Sequence, residues 1–143
     1  DSIHPKNIMD ITELLKIRKI IEKEIIKLVV ANATNDDIKK LERTICLHHT
    51  SDESKDKEVP LIDFHALLSE ISRNRILNSV LKLLIHEELM LEEKFPDIAK
   101  KLREAHHIEQ HKQILEAVKK RDLDSAIKHT EEHIQHLIDS VYN

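Results

Sequence analysis

The sequence predicts an all-α fold, an antiparallel bundle of about six helices, and three observations favour this class. The chain has 143 residues, of which 40% are hydrophobic, so it is long enough for one domain with a substantial core. It contains no glycine, and glycine supplies the left-handed positions of tight hairpins, phosphate-binding loops and Rossmann turns. Apolar residues recur at helical spacing within residues 10–143, whereas residues 1–9 lack periodicity and are predicted to be a linker or tail.

The first two helices are bounded by recognisable signals. Apolar residues keep helical spacing from about residue 10 to residue 32, which predicts the first helix. Thr34 and Asp37 resemble a capping box, with Asp in place of Glu, at the start of a second helix that ends near residue 49. The polar, unpatterned stretch over residues 50–58 is predicted to be a loop.

The later helices begin at a proline or at a capping residue, as helix N-termini commonly do. Each is then followed by apolar residues at helical spacing. The starting residues are Pro60 for the third helix, Asn74 for the fourth, Pro96 for a fifth region with a break near residue 103, and Asp122 or Asp124 for the last.

Composition and missing motifs argue against several classes of function. The net charge is −4 and the 23 basic residues are scattered among 27 acidic ones, so no basic stripe for nucleic acid is visible. No apolar run approaches the roughly 18 residues that span a bilayer, and no secretory signal opens the chain. A single cysteine, Cys46, cannot form an internal disulfide, which favours a reducing, cytoplasmic compartment. Because nucleophile-elbow and zinc-protease motifs are also missing, an enzyme is not predicted.

Histidine is the unusual residue of this sequence, with 11 copies. His65, His111 and His133 each share a face with apolar residues, and they belong to three different predicted helices. One inward histidine is more often a hydrogen-bonded core residue than a ligand. Three of them are consistent with a metal site, because neutral imidazole is the commonest metal ligand. Spacing alone leaves both interpretations open.

Histidines four residues apart offer a second arrangement, in which one helix contributes two ligands. His107 and His111 have this spacing, as do His129 and His133. The pattern keeps open a hemerythrin-like or ferritin-like four-helix bundle that handles oxygen or iron. Such a bundle needs inward carboxylates that bridge two metals, and the only Glu-x-x-His motif begins at Glu104. The remaining histidines are predicted to be solvated surface residues: His4, His48, His49, His86, His106 and His136.

Arg18 lies on the apolar stripe of the first helix, between Leu14 and Ile21. A charge at such a position is costly unless it is paired. One interpretation is an ion pair with Glu22, one turn along the helix. The other is an inward arginine whose planar fork binds a carboxylate or phosphate ligand.

Four segments, in the right order, resemble elements of the FCD domain, the effector-binding domain of GntR regulators of the FadR type. IRKIIE (17–22) is similar to the element V-R-x-x-L-E, and LIDFHALLSEISRN (61–74) is similar to D-x-x-F-H-x-x-L…A-x-x-N. EQHKQILEAV (109–118) is similar to E-H-x-x-I-L-x-A-I, and RDLDSAIKHTEEH (121–133) is similar to R-D-x-x-x-A-x-x-x-M-x-x-H. The resemblance covers about residues 10–137.

The resemblance implies a divalent metal inside the bundle, held in that family by one aspartate and three histidines. The three histidines correspond to His65, His111 and His133. The aspartate would stand four residues before His65, where this sequence has Leu61, and Asp63 lies about 200° around the helix from His65. Nitrogen ligands suit zinc or nickel, whereas calcium is disfavoured.

The resemblance also implies a role in transcription regulation. Family members sense small carboxylates or sugar acids, and the expected effector-binding residues here are Arg18 and Asn74. The family carries an N-terminal winged-helix DNA-binding domain that this sequence does not include. We therefore expect a ligand-sensing, homodimeric domain that meets DNA only through that other domain.

Overall fold

The structure, a computed structural model, describes residues 7–50, 63–106 and 108–143. These residues form seven α-helices, so the predicted all-α bundle is confirmed with one helix more than expected. In chain order the helices are α1 (Ile8–Asn32), α2 (Asn35–Thr50), α3 (Asp63–Ile71), α4 (Arg75–Lys94), α5 (Pro96–Ala105), α6 (Ile108–Lys119) and α7 (Leu123–Ser140).

Helix α1 is the central element of the bundle, because it packs against α3, α4, α6 and α7. Helix α2 packs on α3 and α6, while α5 packs on α4 and α7. Among the helices described, none is both long and apolar enough to cross a membrane.

The additional helix arises because the predicted fifth region is broken at His106 rather than near residue 103. His106 has an extended backbone (φ −81°, ψ 97°), and its N–H donates to the carbonyls of Leu102 and Arg103. These bonds close α5, and α6 begins two residues later at Ile108. The chain therefore changes direction at His106, which places this residue between two helices.

The predicted capping residues are confirmed at three helices. Thr34 and Asp37 accept hydrogen bonds from each other's backbone N–H, at 3.1 and 2.9 Å. The side chains of Asn74 and Asp122 each accept from the backbone N–H three residues later. Asn7 forms a further capping box, and α1 therefore begins at residue 8, two residues earlier than expected.

Two arginines occupy the left-handed backbone positions that glycine fills in most proteins. Arg73 has φ 57° and follows α3, while Arg121 has φ 55° and follows α6. The Arg121 guanidinium donates to the carbonyls of Val30 and Ala33, at 2.8 and 2.5 Å. Arg73 forms a 2.9 Å ion pair with Asp37. Each arginine thus ties the end of one helix to another part of the bundle.

The described residues form two apolar clusters in the interior, with buried polar residues between them along the helices. On α1, Ile11 and Leu15 belong to one cluster and Ile25 and Val29 belong to the other. Helices α4 and α7 likewise contribute one part of their length to each cluster. We call the polar residues that connect to one another in this region the polar cluster: Arg18, Glu22, His65, Glu88, His106, His111 and His133.

Some expectations fall outside the described ranges. Residues 51–62 are not described, and they include nearly all of the predicted loop. The same gap contains Leu61, the position where the FCD resemblance expects an aspartate. Residues 1–6 and residue 107 are likewise outside the description.

Candidate metal centre

The structure brings the three inward histidines of the sequence analysis together at one point. His65 comes from α3, His111 from α6 and His133 from α7. His65 Nε2 lies 3.2 Å from His111 Nε2 and 3.1 Å from His133 Nε2. All three side chains are buried, with at most 2% of their surface exposed. Their convergence is the central feature of this site.

The partners of the other ring nitrogens determine which nitrogens carry protons. His65 Nδ1–H donates to Glu22 Oε1, and His133 Nδ1–H donates to Gln110 Oε1 at 2.5 Å. In the neutral imidazole the second nitrogen is then an unprotonated acceptor. The Nε2 lone pairs of His65 and His133 consequently face each other at 3.1 Å with no proton between them. Such an arrangement is repulsive unless a cation binds both nitrogens.

Packing fixes the position of the third ring. His111 stacks on Phe64, with ring centroids 4.4 Å apart and an angle of 12° between the planes. Phe64 is fully buried in the larger apolar cluster. Since Phe64 precedes His65 in α3, the same short helix provides one histidine of the group and the surface that orients another.

His106 joins this group, although its sequence context predicted a solvated surface residue. One ring nitrogen of each of His65, His106, His111 and His133 lies within 4.8 Å of the others. The His106 and His133 ring centroids are 5.1 Å apart. Helical spacing gave no signal for His106, because the direction of its side chain is set by the break between α5 and α6. That part of the surface prediction is wrong.

The surroundings favour the neutral form of three of these histidines. Burial lowers the pKa of His65, His106 and His133 well below the usual histidine range, and the charge of Arg18 adds to the effect at each of them. Neutral imidazole is the form that binds a metal. The electrostatics of the pocket thus favour the ligand state of these side chains.

Arg18 is fully buried and forms two ion pairs. Its Nε donates to Glu22 Oε2 at 2.5 Å, and its Nη1 donates to Glu88 Oε1 at 2.8 Å. Burial by itself lowers the pKa of Arg18, but the two carboxylates raise it above its ordinary value. The predicted ion pair between Arg18 and Glu22 is confirmed, while the ion pair with Glu88, 70 residues away, was not predicted. Arg18 Nη2 is buried and has no hydrogen-bond partner within the described parts of the chain.

The other residues considered from sequence lie elsewhere. Asn74 is exposed and its side chain caps α4, so its proposed contact with an effector stays a prediction. His86 and His136 are exposed, as expected. Glu104 is exposed as well, and His129 does not belong to the four-histidine group. The side chains of the remaining predicted surface histidines are outside the description: His4, His48 and His49.

The nitrogen positions fit a divalent metal ion. An ion bound to nitrogen at about 2.0–2.1 Å holds its donors about 3.3 Å apart in a tetrahedron and about 2.9 Å apart at adjacent octahedral positions. The distances of 3.1 and 3.2 Å from His65 to its neighbours lie in this range. Glu22 contacts Arg18 and the Nδ1 side of His65, and Glu88 contacts Arg18, so these two carboxylates surround the site rather than supply its ligands. The four-histidine group contains no carboxylate, and a di-iron site needs carboxylates that bridge its two metals.

Comparisons with known proteins identify the family and the fold. A family model for the FCD domain matches residues 13–136. The fold is similar to that of Streptococcus agalactiae GntR, with a TM-score of 0.75 and 20% identity, covering 94% of this chain and 61% of that one. It is also similar to E. coli McbR/YncC, with a TM-score of 0.72 and 24% identity, covering 94% of this chain and 68% of that one. A search of curated proteins gives no match.

The chain thus spans less than two thirds of the S. agalactiae protein. The family model covers nearly all of the helical domain, in agreement with the four segments identified from sequence. The all-helical fold is similar to the aligned part of each of these two GntR-family regulators. The chain belongs to the FCD domain family.

Proposed function

We propose that this domain senses a small ligand for a GntR-type transcription regulator, with a divalent metal bound by His65, His111 and His133. The observation that carries the proposal is the convergence of imidazole lone pairs. Two of these histidines have their second nitrogen bound to a fixed acceptor, so their Nε2 atoms can only accept. A buried cation removes the repulsion between them, and a metal ion does so without requiring protonation of a buried ring.

We propose zinc or nickel as the metal, two of the ions that imidazole nitrogen suits. Imidazole nitrogen suits zinc, nickel, copper and iron, whereas calcium, magnesium and manganese prefer oxygen ligands. Glu22 and Gln110 accept hydrogen bonds from the Nδ1–H groups of His65 and His133, and such contacts orient the rings and increase the basicity of the ligating nitrogens. A bound metal would act here as a Lewis acid that attracts an anionic group.

We propose a small carboxylate as the effector. A divalent ion and Arg18 carry three positive charges against the two negative charges of Glu22 and Glu88 in the connected cluster. One carboxylate neutralises the excess. Arg18 Nη2, which is buried and has no hydrogen-bond partner among the described residues, is a donor for that carboxylate. Arg18 is therefore assigned both roles that the sequence suggested, as an ion-pair partner and as an effector contact.

We also propose that the domain forms a homodimer and that DNA contact belongs to a winged-helix domain outside this sequence. Helix α4 exposes Ile76, Leu83 and Met90, which follow each other at intervals of seven residues. This spacing places them along one face of the helix. A two-fold axis beside α4 would bury this stripe against its copy.

Elemental analysis of protein purified without a His-tag tests the metal site. We expect about one zinc or nickel ion per chain and a lower melting temperature after chelation. At a hundredfold excess over Kd, a metal that binds only the native state adds about 2.7 kcal/mol, which is on the order of 5–10 °C for a domain of this size.

Variants locate the site on the proposed histidines. His111→Ala should abolish the effect of the chelator on the melting temperature. The double variant His65→Ala/His133→Ala should lose the metal, whereas the exposed pair His86→Ala/His136→Ala should retain it. If the first double variant keeps a full complement of metal, the site lies elsewhere and the proposal fails.

A further inference from the structure

We propose that His106 is an exchangeable fourth ligand, which occupies the coordination position of the carboxylate effector until the effector displaces it. The inference rests on the proposed metal site and concerns how that site is regulated. It separates the four histidines into three fixed ligands and one that leaves.

The three fixed ligands are supported by their surroundings. They lie within helices, and their side chains are almost completely buried. The second nitrogen of His65 is bound to Glu22, and that of His133 is bound to Gln110. His111 is held by stacking within the core. Displacing any of these rings would break packing or a buried hydrogen bond.

His106 has no comparable support. It lies in the extended residue between α5 and α6, and its side chain is only partly buried. Its Nδ1 is buried and has no hydrogen-bond partner among the described residues. Ligating histidines almost always donate their second N–H to a carboxylate, a carbonyl or water. Of the four rings, His106 is the one that leaves the centre at the lowest cost.

The position of His106 nevertheless allows it to complete the site. Its ring centroid lies 5.1 Å from that of His133, 6.1 Å from that of His111 and 6.2 Å from that of His65, whereas the centroids of the three fixed rings are 5.0 to 5.1 Å apart. His106 is therefore within reach of the centre but stands farther from it than the other three rings do. Four imidazoles would occupy all four coordination positions of a tetrahedral ion and leave none for another ligand. A carboxylate that binds the ion must then either expand the coordination or replace a ring. Replacing neutral His106 with an anion also neutralises the positive charge of the loaded site.

The location of His106 gives the exchange a structural consequence. His106 is the residue at which the chain turns from α5 into α6, and α5 packs on α4 and α7. Release of its side chain from the metal frees this junction, whereas the three fixed ligands continue to hold α3, α6 and α7 together. The effector signal would consequently pass to α5 and its neighbours.

Cobalt(II) is a suitable probe, because its visible absorption distinguishes tetrahedral from higher coordination. We expect the wild-type domain to give a tetrahedral spectrum that acetate converts to another form. His106→Ala should still bind one cobalt ion, with an affinity reduced by at most about tenfold, and its spectrum should differ from that of the wild type. Acetate should bind cobalt-loaded His106→Ala about tenfold more tightly than the wild type, since no ring must be displaced. His86→Ala, which removes an exposed histidine, is the matched control.

The results separate three claims: that the site binds a metal, that His106 is a ligand, and that the effector displaces His106. Equal cobalt affinities and spectra for the wild type and His106→Ala overturn the role of His106 and leave the metal site in place. Equal acetate affinities, with weaker cobalt binding, make His106 a fixed ligand and overturn the exchange. If the wild type binds no cobalt, the proposed metal site fails and this inference fails with it. His106→Gln, which keeps a polar side chain at the junction, provides the same comparison if the alanine variant does not fold.

Discussion

Glu22 connects the ion-pair system to the histidines, and replacing it with glutamine is the sharpest test of how the site is built. Its Oε1 accepts from His65 Nδ1–H, and its Oε2 accepts from Arg18 Nε–H at 2.5 Å. Both contacts need an acceptor, and the side chain is only 3% exposed, so water does not replace a lost partner. Glutamine has the same shape but offers one acceptor and one donor group.

The substitution forces a choice of tautomer. If the amide oxygen faces Arg18, the amide N–H group faces His65 Nδ1, which must then accept. The proton of neutral His65 moves to Nε2, and the lone pair directed at His111 and His133 is lost. Replacing a residue that hydrogen-bonds to a ligating histidine typically lowers metal affinity about 10–100-fold, or about 1.4–2.7 kcal/mol.

Glu22→Gln should also destabilise the metal-free domain. Breaking a buried ion pair typically costs about 3–5 kcal/mol. Arg18 keeps its contact with Glu88 in this variant, which places the expected loss near the lower limit, about 3 kcal/mol. For a domain of this size that corresponds to a decrease of roughly 6–12 °C in the melting temperature.

Two measurements check these values. Zinc affinity is measured by competition with a chromophoric chelator, and the melting temperature is measured in the presence of a strong chelator. Glu24→Gln is the control, because Glu24 is exposed on the same helix and pairs only with Lys27 among the ion pairs described. Nitrogen NMR of His65 reports its tautomer directly. A Glu22→Gln domain that binds zinc within about twofold of the wild type would refute the claim that Glu22 sets the tautomer of His65.

Three further predictions concern the rest of the domain. Burial and the charge of Glu88 raise the pKa of Glu92 from 4.5 to about 7, so ionisation of Glu92 lowers the stability of the domain as the pH rises through that interval and by a constant amount above it. Glu92→Gln should therefore raise the melting temperature far more at pH 8 than at pH 5. An equal effect of Glu93→Gln, at an exposed position, would contradict this. Leu83→Glu should convert the proposed dimer to a monomer in light scattering, and an unchanged mass would place the interface elsewhere. Arg121→Ala should lower the free energy of unfolding by about 2–3 kcal/mol in urea, because two bonds from a charged donor are lost; a loss below about 0.5 kcal/mol would show that these bonds contribute little.

Local features of the sequence determined most of the secondary structure. Helical spacing and capping residues depend on neighbours only a few positions away, which is why the caps at Thr34, Asn74 and Asp122 are confirmed. Where the sequence was ambiguous, a local contact decided the boundary. Asn7 starts α1 earlier than the hydrophobic spacing indicates, because its capping box does not require an apolar residue.

The inward direction of three histidines was also readable from sequence. His65, His111 and His133 lie inside helices, where the spacing of apolar neighbours fixes the buried face. Such a pattern shows that a side chain points inward but not which side chains meet. The family resemblance supplied that pairing, and the structure places the three rings around one point.

The tertiary structure alone decided the remaining parts of the site. His106 lies outside a helix, so no periodicity describes its direction, and only the break between α5 and α6 turns it toward the other rings. Glu88 meets Arg18 because α1 packs on α4, and nothing in either helix by itself specifies that contact. A single sequence therefore determines the faces of its helices through local spacing, whereas contacts between distant segments depend on how the helices pack.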